Sequence, residues 1–380
     1  MKKALSILLC FICFLFQFNT TACAQELSVS AQAYVLYCVE NESVITQNNA
    51  DKRMKPASTT KILTTLLALE KAQKDDVLVK FQESMIEQGS SMYLKVGDVV
   101  HLSSLAKGMM MASGNDAANA VALTLSKSLE DFSLLMNKRA QEIGMKNTHF
   151  VTPSGLDDEN HYTTAKDMAK LMAVAMKNET FADITKNKSM EISFLAPQKK
   201  VTYANHNRLL SLYEYCIGGK TGYTQSAGRC LVSVAKKDGV TLVCVTFNAG
   251  DDWNDHIKLY DYGFERYKAV DTDDSNREFS VKVVGAQKSK VPLYCKATNK
   301  TVVKNEDINK VTRTVYMPQF VYAPVKPDEY IGMVVYKLGG KIIAQNPLYS
   351  STGVSVRKNK GITDFFEKVS VRLFKNRRNI

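Results

Sequence analysis

The spacing of apolar positions changes period several times along the chain, and each change marks a segment. A predominantly apolar run from Ala4 to Phe18 follows Lys2 and Lys3. Ala33–Tyr37 and Ser43–Thr46 then form two short strand patterns around the polar turn Glu40-Asn41-Glu42. From about Ser58 to Asp183 the spacing is helical, most clearly at Ile62–Leu69, Leu102–Ala112, Asp116–Leu125 and Thr164–Met176. Strand patterns return at Cys216–Tyr223, Arg229–Ala235 and Thr241–Asn248, separated by the turn-like stretches Gln225–Gly228 and Lys236–Gly239. A helix from Asp252 to about Tyr267 closes the unit. Strands at both ends with helices between them predict an α+β unit, one antiparallel sheet covered by helices.

Residues 270–277 are polar and acidic without periodicity, which reads as a linker. Beyond them the pattern is all-β, at Phe279–Val284, Val291–Lys296, Thr312–Met317, Phe320–Pro324 and Ile331–Tyr336. The pair Gly339-Gly340 before Lys341–Ala344 supplies a hairpin turn. In the tail, Ile362, Phe365, Phe366, Val369 and Leu373 share one helical face, while Lys368, Arg372 and Lys375 cluster on another. That is an interfacial amphipathic helix suited to anionic lipid; docking onto its own protein, or a frayed terminus, is the alternative.

Composition adds the compartment. Of 380 residues, 45% are hydrophobic and 23% charged, and no low-complexity tract is present, so a disordered or repeat protein is excluded. The basic start, the apolar run and Ala22-Cys23-Ala24 together match a secretory signal peptide cleaved after Ala24. A lipoprotein signal using Cys23 is disfavoured by Thr20, where such signals want an aliphatic residue. No later run reaches transmembrane length. Formal net charge is +12, and residues 357–380 alone hold eight Lys or Arg against Asp364 and Glu367. In an exported chain without a nucleic-acid module, that excess points to anionic lipid or wall polymer and not to nucleic acid.

The predicted organisation is a signal peptide over 1–24, a catalytic domain over 25–268, a linker over 269–277, a β-rich domain over 278–356 and a basic amphipathic anchor over 357–380. Beyond the signal remain Cys38, Cys216, Cys230, Cys244 and Cys295, an odd number without zinc or disulfide spacing. They read as small buried apolar residues.

Hydrolytic chemistry can be sorted by motif. No Gly-x-Ser-x-Gly elbow exists, and His101, His149, His161, His206 and His256 show no zinc-binding spacing. Each histidine is expected to serve as a structural hydrogen-bonding group, and no metal or cofactor is expected. Ser-x-x-Lys occurs four times, starting at Ser58, Ser104, Ser233 and Ser355. Ser233 lies mid-strand, where residues three apart face opposite sides. Ser104 suits a helix first turn, and Ser355 lies at the basic tail. Ser58 follows Pro56-Ala57 and opens the apolar helix, which puts its hydroxyl one turn from the Lys61 amine. An amine desolvated there has a lowered pKa and can take the serine proton near neutral pH.

Two further elements make the pattern specific. Ser113-Gly114-Asn115, the only Ser-x-Asn, sits between two helical stretches, and Lys220-Thr221-Gly222, the only Lys-Thr-Gly, sits in a strand. With Pro56–Lys61, Met111–Ala117, Pro153–Leu156, Thr164–Met168 and Lys220–Thr224, the chain resembles the serine D-alanyl-D-alanine carboxypeptidases, the low-molecular-mass penicillin-binding proteins. The resemblance covers roughly 25–268, and more loosely the β-rich domain and tail.

It implies a β-lactamase/transpeptidase-like fold and a peptidoglycan pentapeptide stem as substrate. Ser58 would be the nucleophile, Lys61 its base and Ser113 a proton relay, with Asn115 orienting Lys61 and the substrate amide. Lys220 and Thr221 would hold the terminal carboxylate, with Gly222 completing the motif, and the N–H groups of Ser58 and Tyr223 would form an oxyanion hole. β-Lactams would acylate the same serine. One departure is Ile217-Gly218, where many relatives carry Asp-Gly; altered loop contacts are expected there. A class A β-lactamase is the alternative enzyme, but no Glu-x-x-Leu-Asn segment lies between Asn115 and Lys220. A membrane-tethered wall-binding protein with a decayed site is the other alternative. The implied location is the outer face of the cytoplasmic membrane.

Overall fold

A computed structural model describes residues 27–296 and 300–357. The expected signal peptide at 1–24 and the tail helix lie outside the described residues, apart from Arg357 at the tail's start. Strands β1 (Ala33–Cys38) and β2 (Ser43–Asn48) form the first hairpin. Two small ribbons follow within and after the helical region: β3 (Leu78–Lys80) with β4 (Val99–His101), and β5 (Ser189–Leu195) with β6 (Gln198–Ala204). Strands β7 (Cys216–Thr224), β8 (Gly228–Lys237) and β9 (Val240–Phe247) then complete the main sheet. Its order is β2-β1-β9-β8-β7, antiparallel throughout.

Both faces of this sheet are covered, which explains why β8 and β9 read as continuous apolar runs. Along β1 the pleat sends Val35 and Tyr37 to one side and Leu36 and Cys38 to the other. The first pair joins Leu63, Leu66, Met109, Val121 and Met172 of the helices Lys61–Ala72, Leu102–Ala112, Asn115–Leu125 and Ala165–Ala175. The second pair joins Leu259 and Tyr260 of the helix Asp252–Arg266. Each fully buried Leu or Phe contributes roughly 1.5–3 kcal/mol by removal from water.

The helical region is richer than its periodicity predicts. The helix Leu129–Ile143 buries only Phe132, Met136 and Ala140, a stripe too narrow to stand out among polar neighbours. Its ends are nonetheless written locally. The Ser128 hydroxyl accepts from Asp131 N, and Gly144 ends the helix at φ +85°. Thr164 and Asn178 cap the helices Ala165–Ala175 and Glu179–Lys186 in the same way. Strands β3 and β4 are three residues each, too short for a period of two to show.

Beyond the helix Asp252–Arg266 lies an all-β stretch, with β10 (Tyr267–Val270) and β11 (Phe279–Val284) followed by β12 (Lys290–Cys295) and β13 (Thr301–Lys304). β14 (Val311–Tyr316), β15 (Phe320–Tyr322), β16 (Tyr330–Leu338) and β17 (Lys341–Ser350) complete it. Six of them form a sheet in the order β14-β16-β17-β12-β11-β15, with β15 parallel to β11. Residues 270–277, polar as a linker should be, are nevertheless fastened. Asp274 is fully buried and accepts from Arg313 Nη2 at 2.8 Å, Asn346 Nδ2 at 2.8 Å and Tyr336 Oη at 3.2 Å, with Arg277 Nε at 3.0 Å. No helix among the described residues is long and apolar enough to cross a membrane.

Candidate active site

Ser58 lies in a 3₁₀ turn, Ala57–Thr60, that runs directly into the helix Lys61–Ala72. This refines the sequence expectation, which placed Ser58 in the α-helix itself. The tighter winding stacks residues three apart over one another. It brings Lys61 Nζ to 2.9 Å from Ser58 Oγ. Thr59 pins the turn from within, its hydroxyl donating to Pro56 O at 2.7 Å. Ala57, immediately before the serine, has φ +48°, a left-handed conformation that strains a residue with a Cβ.

The Lys61 amine is fully buried. Besides Ser58 it meets Asn115 Oδ1 at 2.7 Å and the Ser154 carbonyl at 2.7 Å. Both of those oxygens can only accept. The amine therefore donates to both, and in its neutral form it would have its lone pair left for the Ser58 hydroxyl. Burial, and then the charge of Lys220, hold this amine well below the ordinary lysine range, with Asp116 and Glu87 pulling partly the other way.

Ser113 and Asn115 are delivered by a sharp corner between two helices. Ser113 ends the helix Leu102–Ala112 in the left-handed conformation at φ +57°, and Asn115 opens the next helix. Asp116 holds the corner, accepting from Met92 N at 2.9 Å, Leu94 N at 3.1 Å and Ser91 Oγ at 2.7 Å. Asn115 Nδ2 donates to Gln88 O at 2.6 Å, which fixes the amide with its oxygen toward Lys61.

The third element is strand β7. Lys220 is buried, and its Nζ donates to Ser113 Oγ at 2.9 Å and Thr221 O at 2.8 Å. Burial pushes its pKa down to about 7. Gly222 sits where the strand touches the 3₁₀ turn; a Cβ there would lie 2.9 Å from Ser58 N and 3.0 Å from Pro56 O. The motif's glycine is thus required by close backbone approach. Gly155, at φ +83°, has the same role on the other side, since a Cβ would meet Ala57 O at 1.8 Å.

Together these elements border a cleft of about 490 Å³ lined by Ser58, Ser113, Thr221, Gly222 and Tyr223. Lys61, Asn115 and Lys220 lie buried beneath it. Ser90, His206, Arg229, Asp252 and Trp253 also line the cleft and were not anticipated. His206, expected to be structural like the other histidines, is among them. Arg229 stands opposite Tyr223 in the β7–β8 ladder, and its guanidinium is gripped by Asp252 at 2.5 Å. Only the sheet register reveals that neighbourhood.

His161 does behave structurally, its Nδ1 accepting from Val151 N at 3.0 Å and its Nε2 facing Thr60 Oγ1 at 2.9 Å. Ser233, one of the Ser-x-x-Lys decoys, is buried against His256 and Tyr260. Ile217, at the departure from the Asp-Gly pattern, packs on the main core. The five described thiols are free, and burial raises the pKa of each; Cys216, nearest the site in sequence, is pushed up to about 11. Among the described residues no group of His, Cys, Asp and Glu is placed to hold a metal.

Residues 19–251 match the Peptidase_S11 family, described as D-alanyl-D-alanine carboxypeptidase. The chain belongs to that family. As a D-alanyl-D-alanine carboxypeptidase family member it carries a second match over residues 264–355, to the penicillin-binding protein 5 C-terminal domain. It is 32% identical to D-alanyl-D-alanine carboxypeptidase DacF of Bacillus subtilis, covering 97% of this chain and 98% of that one. To D-alanyl-D-alanine carboxypeptidase DacC of Escherichia coli it is 34% identical, covering 88% of each. Among solved structures, penicillin-binding protein 5 of Haemophilus influenzae superposes with a TM-score of 0.69 at 29% identity, covering 86% of this chain and 98% of that one. A variant of the Streptomyces K15 DD-transpeptidase superposes with a TM-score of 0.60 at 30% identity, covering 62% of this chain and 98% of that one. The α+β fold and its all-β C-terminal unit are thus those of penicillin-binding proteins.

Proposed function

We infer that this protein is a serine D-alanyl-D-alanine carboxypeptidase that removes the terminal D-alanine of peptidoglycan pentapeptide stems through an acyl-enzyme on Ser58. The observation that carries the assignment of residues is the buried Lys61 amine, whose two carbonyl partners leave one direction free, toward Ser58 Oγ at 2.9 Å. Lys61 takes the hydroxyl proton as Ser58 Oγ bonds to the carbonyl carbon of the penultimate D-alanine. The oxyanion is met by the N–H groups of Ser58 and Tyr223, an arrangement worth about 10²–10³ in rate per donor. As the C–N bond breaks, the departing amine receives a proton through Ser113, and Lys220 with Thr221 grips the terminal carboxylate. Water, deprotonated by Lys61, then releases the shortened stem. A β-lactam acylates the same Ser58.

The catalytic unit spans 25–268 and the β-rich unit 278–356, with export directed by residues 1–24. The basic amphipathic stretch at 357–380 holds the enzyme to the outer face of the cytoplasmic membrane, facing the wall. Its sequence pattern supports this: an apolar stripe with Phe365 and Phe366 beside Lys368, Arg372 and Lys375.

The test is release of D-alanine from a pentapeptide ending in D-Ala-D-Ala. Wild type releases it and Ser58→Ala does not. Equal behaviour of the two proteins would end the enzyme assignment.

A further inference from the structure

The outer face of the C-terminal sheet carries aromatic rings and lysines beside a few neutral polar side chains such as Ser280 and Gln345. Val281, Val291, Leu293 and Leu348 point into that unit's core, so their neighbours along each strand point out. Phe320 stands opposite Lys282 and Tyr322 opposite Val284, and the two rings meet edge-on at 5.5 Å. Further across the same face Tyr294 pairs with Tyr349 at 5.9 Å, and Tyr349 meets Tyr330 at 6.1 Å. Phe320, Tyr322 and Tyr330 are 45%, 70% and 54% exposed.

The charge on this face has one sign along the ladders. Lys282 and Lys290 stand directly opposite each other, and Lys296 lies over the Tyr349 ring at 5.7 Å. Like charges directly opposed in a sheet destabilise it, and an anionic partner relieves that repulsion. At the margin the Asp328 carboxylate takes the Tyr294 hydroxyl at 2.7 Å. The chain also leaves the unit here. Arg357 N donates to Gly285 O at 2.8 Å, just past Val284, and residues 358–380 then hold seven Lys or Arg against two acids.

We propose that this face rests on an anionic lipid bilayer, with its rings at the headgroup boundary and its lysines on lipid phosphates. Tyrosine is suited to that boundary because its ring is apolar and its hydroxyl is not. Each lysine near an anionic leaflet adds electrostatic attraction. The proposal deepens the membrane-held reading above and rests on it for the membrane's presence. It adds a second contact, built by the folded sheet and distinct from the basic tail.

The test uses the full mature chain with vesicles of phosphatidylglycerol and phosphatidylcholine. The triple variant Phe320→Ser, Tyr322→Ser and Tyr330→Ser should bind roughly tenfold more weakly. It should still release D-alanine from a soluble peptide at the wild-type rate, which shows that it is folded. In a second variant, Tyr322→Trp, the indole emission gained over wild type, which already carries Trp253, should be quenched by brominated phospholipid. Unquenched emission with normal vesicle binding would overturn the face contact and leave the tail reading intact. No vesicle binding by wild type would overturn both. Loss in the triple variant of self-association, or of retention on peptidoglycan, with vesicle binding unchanged would also overturn it, making a second copy or the wall the partner.

Discussion

Lys61 Nζ and Ser58 Oγ lie 2.9 Å apart, across a single 3₁₀ turn, with the amine enclosed and the hydroxyl on the cleft. Proximity alone does not make a base of a lysine. In the proposed mechanism the enclosure does, because it removes water from the ammonium form and leaves two acceptors for two N–H groups. Lys61→Arg keeps a cation that cannot give up its proton. Turnover of a D-Ala-D-Ala peptide should fall by about 10²–10⁴, with a smaller change in KM. Steady-state kinetics on the two proteins checks this.

The duty proposed for Lys220 is different and so is its pH response. Burial lowers its pKa to about 7, and the carboxylate binding proposed for it needs the charged form. In the free enzyme kcat/KM should therefore fall as pH rises through about 7, where the ammonium is lost. Lys61 must be neutral, so activity should also fall on the acid side as that amine gains a proton. Lys220→Arg, charged throughout, should be less active overall and lose the alkaline fall. A pH profile of wild type beside Lys220→Arg separates the two limbs.

Two glycines set how closely the backbone packs around the serine. Gly155→Ala places a Cβ against Ala57 O at a position with φ +83°, so it should destabilise the fold by about 2 kcal/mol or more. Gly222→Ala should act chiefly on the site, because its Cβ presses on Ser58 N and Pro56 O. Urea denaturation paired with acylation by penicillin distinguishes the effects. The first variant should lose stability, and the second should lose acylation rate.

His161 links stability to acidity. Burial drops its pKa to about 4, below the ordinary value near 6.5. The unfolded chain then binds its proton more readily between those values. His161 contributes fully above pH 6.5, and its share is lost as pH falls toward 4, by about 3 kcal/mol. His256, lowered to about 3, acts in the same direction. His161→Gln should lessen the change in urea midpoint between pH 7 and 4.5.

Much of this was legible in the sequence because the site is made of short, local motifs. Ser58 and Lys61 are three residues apart, Ser113 and Asn115 share one corner, and the main-sheet strands β7 to β9 are long enough to show their pattern. What the chain brings together from afar was not legible. The Ser154 carbonyl on Lys61, Gln88 on Asn115 and Asp252 on Arg229 depend on register and loop path, which no local spacing records. The ribbon β5–β6 and the helix Leu129–Ile143 escaped for a related reason, since each buries few residues among many polar ones. The buried Asp274 shows the converse: a linker-like composition concealed a carboxylate enclosed by two arginines, a tyrosine and an asparagine.

The central claim is that Ser58 is the nucleophile of the three-element site. Mass spectrometry of the protein after brief exposure to a penicillin tests it most directly. One penicilloyl group per chain should appear, persist for far longer than a turnover with peptide, and map to the peptide containing Ser58. It should be absent from Ser58→Ala. A label on Ser113 or another residue, or rapid hydrolysis of the drug without a persistent adduct, would contradict the account.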